Sequence, residues 1–171
     1  MIISEEDKRE ILRVGQLIKK IEMADEEYIN KESDLISKKQ PFLISLLLGF
    51  RFDLKDLELE EIMKIIFLIW EFFKNHSQIN KTKISESQFE RIQQSNIYML
   101  KYYEGEQGAK AKKEFISNDL KNSKSKCLFE GVIFQFANKR TLLEMKSETR
   151  GSTLVGLKSL IECFEEMVFE E

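Results

Sequence analysis

Residues Leu57 to Phe73 constrain this chain more than any other stretch. At 3.6 residues per turn, Glu60, Lys64 and Glu71 fall on one line of a helix. Leu59, Ile62, Met63, Ile65, Ile66, Phe67, Leu68, Ile69, Trp70, Phe72 and Phe73 cover the other sides. A helix this apolar is stable in water only when other helices wrap it. The segment therefore predicts an all-α, multi-helix bundle of about six or seven helices around one central element at 57–73.

Length and punctuation agree with that expectation. A chain of 171 residues suits one compact domain, so residues 1–171 are read as a single all-α unit. One proline and seven glycines leave little material for the many tight turns of an all-β fold. The segment at 57–73 is shorter and more charged than the roughly 20 apolar residues that span a bilayer. The first residues are acidic where a secretory leader is basic, so the expectation is a soluble, cytoplasmic protein without a membrane partner. In a reducing compartment Cys127 and Cys163 are expected to be unpaired packing thiols.

Helix signals punctuate the rest of the chain. Ser4 and Asp7 form a capping pair ahead of Ile11, Val14, Ile18 and Ile21, which recur at helical spacing. The pattern loses phase near Met23 to Asp25, and the residues up to Ile36 read equally as a second helix or as a bent continuation through 24–38. Pro41 opens a short apolar helix, Phe42 to Leu48, which Gly49 is expected to end in a left-handed conformation. Asp53 or Asp56 is the expected cap of the central helix.

Ser85 and Gln88 make a capping box before Phe89, Ile92, Met99, Leu100 and Tyr103. The glycines at 104–109 mark a candidate hinge, and a surface helix is expected over Ala109 to Asn122. Leu128 to Ala137 fits a helix, though its β-branched and aromatic residues also permit a strand. Leu154, Leu157, Ile161, Phe164 and Val168 give the last helix a core stripe. That helix ends in Glu165, Glu166, Glu170 and Glu171, where the dipole favours cations, which calls for a basic neighbour or a partner with a basic surface.

The search for chemistry turns up little. A di-iron bundle needs Glu-x-x-His motifs, and His76 is the only histidine, so no metal or cofactor is expected. Gly105 and Gly108 lack the lysine and hydroxyl residue of a phosphate loop. No serine sits in the strand-turn-helix context of a hydrolase nucleophile. No repeat of 33 to 47 residues emerges.

Three function classes remain, and the first is favoured. A surplus of aromatics near helix ends and loops points to a protein-binding module, an adaptor or an inhibitor of the immunity type. Its candidate interface residues are Phe50, Arg51, Phe52, Trp70, Tyr98, Tyr102 and Tyr103, facing another protein or a second copy. The second class is nucleic-acid binding through Lys110, Lys112, Lys113, Lys121, Lys124 and Lys126. Glu114 and Asp119 interrupt that run and no aromatics interleave it, so a solvated helix face is the simpler reading. The third class is an enzyme with a carboxylate cleft, for which Glu130, set in an apolar stretch, is the first candidate.

Overall fold

The computed structural model describes residues 4–105 and 123–169, with the side chains of 102–105 outside that description. Among the described residues the chain forms α1 (Glu5–Glu22), α2 (Glu26–Lys39), α3 (Phe42–Phe50), α4 (Asp56–Phe73), α5 (Glu86–Gly105), α6 (Lys126–Asn138), α7 (Arg140–Leu143) and α8 (Ser147–Phe169), with a 3-10 turn at Ser77–Asn80. The fold is an all-α bundle. Arg140–Leu143 is a single turn that no periodicity marks, and the expected six or seven helices do not include it. The expected hinge falls partly in α5, which continues through 104–105, while 106–109 and the expected helix at 109–122 lie outside the described residues.

Local sequence sets most helix boundaries. Asp7 donates its backbone N–H to Ser4 Oγ at 3.0 Å and its carboxylate accepts from the Ser4 N–H, closing the predicted box. Asp25 accepts from the Tyr28 N–H at 2.9 Å, so 24–38 is a separate helix and not a bent continuation. Residues 128–137 lie inside α6, which settles that ambiguity as helix. Two cap expectations are corrected. Gly49 lies within α3, no described glycine has positive φ, and α3 runs on to Phe50. Neither Asp53 nor Asp56 caps α4: the Glu58 carboxylate reaches back to the Lys55 N–H at 2.9 Å.

Gln88 departs from its predicted role as well. Its N–H donates to Ser85 Oγ, but its side chain leaves the box to donate to Glu166 and to the Cys163 carbonyl of α8. α5 accordingly packs mainly on α8. Asn96 of α5, itself buried, donates to Ser159 Oγ at 3.0 Å and to Glu162 at 2.5 Å.

α4 is buried as predicted, and α8 proves to be a second buried rod beside it. Phe73 and Phe164, both fully buried, stack with ring centroids 5.0 Å apart and planes 14° from parallel. Side-chain pairings give the directions. Arg13 meets Phe72 while Ile18 and Ile21 meet Ile65 and Leu68, so α1 runs antiparallel to α4. Val14 lies over Gly131 and Glu22 pairs with Lys139, so α6 runs parallel to α1. Gln88 and Asn96 reach Glu166 and Ser159, so α5 runs antiparallel to α8. Each rod thus has antiparallel neighbours, an arrangement that offsets helix dipoles. At the end of α4, Arg13 Nη2 donates to the Phe72 carbonyl at 2.6 Å and covers the Phe72 ring at 4.5 Å.

Gln40, fully buried before Pro41, ties the α4–α5 connection to the α2–α3 junction. Its amide donates to the Ile79 and Thr82 carbonyls at 3.0 and 2.7 Å, and its oxygen accepts from the Ile84 N–H at 2.9 Å. Truncating it strands the Ile79 carbonyl and the Ile84 N–H, both buried, and removes a donor from the Thr82 carbonyl. Gln40→Ala should cost about 2–4 kcal/mol in urea unfolding, since each unmet buried group costs roughly 1–3 kcal/mol with partial recovery by water.

Two glycines make a paired prediction of opposite sign. A Cβ on Gly131 would stand 2.6 Å from Val14 Cγ1, a stiff β-branched atom in the core, whereas one on Gly15 would meet nothing within 4 Å. Gly15→Ala should raise the melting temperature through about 0.5–1 kcal/mol of helix propensity. Gly131→Ala should lower it, because overpacking costs about 1–3 kcal/mol against the same gain.

Candidate functional site

The structure divides the predicted interface residues into three groups. Trp70 is overturned as a surface residue: it is fully buried and donates its indole N–H to Glu32 at 2.8 Å. Its place on the apolar side of α4 outweighs the usual preference of tryptophan for interfaces. Tyr98 is exposed but stands on the outer side of α5, about 140° around the helix from Gln93, which approaches Gly156 of α8. The side chains of Tyr102 and Tyr103 lie outside the described residues.

Phe50, Arg51 and Phe52 do come together, on the connection between α3 and α4. The Phe50 ring lies against the bare backbone of Gly156, its Cζ 2.9 Å from where a Cβ would stand. Leu54, at the other end of the turn, is buried. Between these anchors, the Asp53 and Leu54 N–H groups both donate to the Phe50 carbonyl at 3.0 Å, and the Phe52 N–H donates to the Gly49 carbonyl at 3.3 Å. The tip is therefore fixed, and it holds Phe52 at 91% exposure beside exposed Arg51 and Asp53. Leu48 and Leu57 are exposed on the flanking helices. Sequence reading missed both: it placed Leu48 in a buried run and Leu57 in the central rod, and nothing in their spacing separates them from core leucines.

The expected polar stripe of α4 yields the second cluster. Glu60 is exposed, but Glu71 is buried and accepts from Lys74 at 2.6 Å, from Lys20 at 3.1 Å and from the Tyr28 hydroxyl. Glu32, buried on α2, accepts from Lys74 at 3.0 Å besides Trp70. Two carboxylates and two ammonium groups thus share one node joining α1, α2 and α4. Burial pushes the Glu71 carboxyl upward, yet donation from Lys74, Tyr28 and Lys20 outweighs it and holds the group below its ordinary value. Burial and then donation to Glu71 raise the Tyr28 phenol. A carboxylate so saturated with donors is a weak base, and the node serves as a clamp.

The remaining candidates are dispersed. Lys124 lies over the Phe169 ring at 5.6 Å, Lys126 lies 3.7 Å from Glu130, and Lys110, Lys112, Lys113 and Lys121 are outside the described residues. Glu130 is exposed in that i,i+4 pair. Among the described residues no group of three histidines, cysteines or acids could hold a metal. A cavity of about 10 Å³ bounded by Ile18, Ile21, Ile65, Leu68 and Gln135 admits one water. Burial pushes the Cys127 thiol up to about 11 and the Cys163 thiol up to about 12, so neither supplies thiolate at neutral pH. His76 is held below its ordinary value by burial and then by Arg13.

Of the acids at the end of α8, Glu165 and Glu166 find partners inside the chain. Glu165 is buried and accepts from the Ser125 N–H at 2.6 Å, capping the start of α6, and from Ser123 Oγ at 3.0 Å. Glu166 takes two bonds from Arg91, at 2.7 and 2.8 Å. Glu170 and Glu171 lie outside the described residues. No described helix is long and apolar enough to cross a membrane.

Removing Glu71 should expose how much the clamp holds. Glu71→Ala takes the acceptor from Tyr28 and one of two carboxylates from Lys74, which keeps Glu32, and should cost about 3 kcal/mol in denaturant unfolding, the low end of the range for one broken half of a buried pair. Because the Glu71 pKa is lowered from 4.5 on folding, its contribution is present above that value and is lost as pH falls through the folded-state value. Glu71→Gln should accordingly flatten the acid limb of the stability profile below about pH 5. Comparison with protein-family models, curated proteins and solved structures gives no match, so function has to be argued from these residues alone.

Proposed function

We propose that this chain is a protein-binding module whose recognition element is the α3–α4 connection, with Phe52 as its anchor. One observation carries the reading. Phe52 is a large aromatic almost wholly in water, held out by a turn whose backbone groups and flanking residues are fixed. A solvated phenylalanine gains nothing for the free protein. Buried in a partner's pocket it contributes apolar area without the entropy cost of ordering a loop, since the turn is already set. Arg51 and Asp53 beside it supply the polar rim that hot spots commonly carry, and Leu48 and Leu57 widen the apolar centre. Single-element placement favours this turn over Tyr98, which stands away from it.

The test is affinity capture from the native cytosol with the purified chain, comparing wild type with Phe52→Ala and Tyr98→Ala. The reading expects one stoichiometric polypeptide, with at least about 30-fold weaker retention by Phe52→Ala and near-normal retention by Tyr98→Ala, as for a hot spot worth about 2 kcal/mol or more. Equal capture by wild type and Phe52→Ala, or no stoichiometric partner at all, overturns it.

A further inference from the structure

α8 has two unlike sides. Leu157, Leu160, Ile161 and Phe164 make up the apolar side that carries the Phe73 stack. Gly156, Ser159, Glu162, Cys163 and Glu166 fall on the side that α5 covers, with Val155 the one branched apolar residue among them. α5 meets that side with polar groups. Gln88 donates to Glu166 at 3.0 Å and to the Cys163 carbonyl at 3.4 Å, and Arg91 donates to both oxygens of Glu166. Asn96 donates to Ser159 and Glu162, and its oxygen accepts from Lys158 at 2.7 Å. Of the described α5 side chains, 86–101, only Phe89, Ile92 and Asn96 are buried, and Phe89 meets Phe42 of α3 with ring centroids 5.0 Å apart.

A seam of this kind parts more readily than the others in the bundle. Its polar groups exchange protein partners for water when it opens, so the net loss per bond is a small fraction of the gross strength, and Arg91 is already exposed. Lifting α5 returns two of its large apolar side chains, Phe89 and Ile92, from burial to solvent, while α8 gives up mainly small or polar groups. Parting α1 from α4 would instead uncover Ile21, Ile65 and Leu68 together. The Phe73–Phe164 stack and the seat of Phe50 on Gly156 involve no α5 residue and stay in place.

We propose that α5 is a lid, a separately opening unit that lifts from α8 while the rest of the bundle stays folded and uncovers Gly156, Ser159 and Cys163. The Phe52 turn takes no part in this motion, so the two readings fail independently.

Cys163 reports the opening. It is fully buried, with the Gln88 amide at its carbonyl and Glu162, Glu166 and Arg91 around its thiol. Cys127→Ser leaves it the only thiol, and circular dichroism confirms that this variant is folded. Its labelling by an aromatic disulfide reagent is timed from zero urea to the unfolding transition. Hydrogen exchange of the unsubstituted chain, read by mass spectrometry over 86–101 and 62–73, gives a second measure that needs no variant. Labelling should be at least about tenfold faster than global unfolding allows and nearly independent of urea below the transition, and 86–101 should exchange ahead of 62–73. Arg91→Ala, added to Cys127→Ser, should speed labelling roughly threefold. Ile65→Val, placed on the α1–α4 seam, should lower the urea midpoint yet leave the labelling rate unchanged, where a global route would speed it roughly fivefold. Labelling that follows global unfolding in rate and urea slope, a faster rate in Ile65→Val, an unchanged rate in Arg91→Ala, or exchange of 86–101 in step with 62–73 overturns the proposal.

Discussion

The contact between Phe73 and Phe164 is the joint on which the bundle depends. It locks two rods that have almost no surface of their own to give to water, and every other described helix is placed by the need to cover one of them. α1 and α6 close over α4, α5 closes over α8, and α2 crosses the far end of α4 to bury what remains of its polar line. The stack is 5.0 Å between centroids and fully buried, so it gains dispersion contacts on both ring faces without any polar group to satisfy.

Covering α4 so completely created the need that the Glu32–Glu71–Lys74 node meets. Once α2 lies over Glu71, the carboxylate must be given donors or be neutralised, since an unpaired buried charge is far costlier than a lost surface pair. The chain supplies donors from three helices, and the node thereby fixes how α1 and α2 sit on α4. Gln40 does the same for backbone groups of the α4–α5 connection. Glu32, Glu71 and Gln40 are register pins inside this protein, each held by several internal partners. The recognition element proposed above is an apolar one, the fixed turn that holds Phe52 in water.

Much of the architecture was legible in the residues because periodicity and capping are local. The buried apolar sides of the rod at 57–73 and the box at Ser4 follow from spacings within one or two turns, whereas the same spacings left open whether 24–38 is a separate helix and whether 128–137 is helix or strand. The candidate site was legible only in part. Arg51 and Phe52 lie on the α3–α4 connection, but Phe50 is the last residue of α3, and Trp70 was misassigned, because composition near a helix end does not reveal which side of the helix a neighbour will cover. Glu71 misled for the same reason: its line on α4 reads as solvent-facing until α2 is folded across it. The acidic end of α8 called for a basic neighbour or a basic partner, and local spacing could not show that Arg91 and the start of α6, roughly 40 to 80 residues away in sequence, meet Glu166 and Glu165.

What the sequence alone determined is that this chain is helical, where some of its helices start, and that one of them is hidden, since those properties depend on hydrogen bonds and side chains a few residues apart. Tertiary structure alone decided that α8 is a second buried rod, that Glu71 and Trp70 are inside, and that Phe52 is outside. Those facts depend on which helix lies against which, and pairings between residues far apart in the chain leave no signature in local spacing.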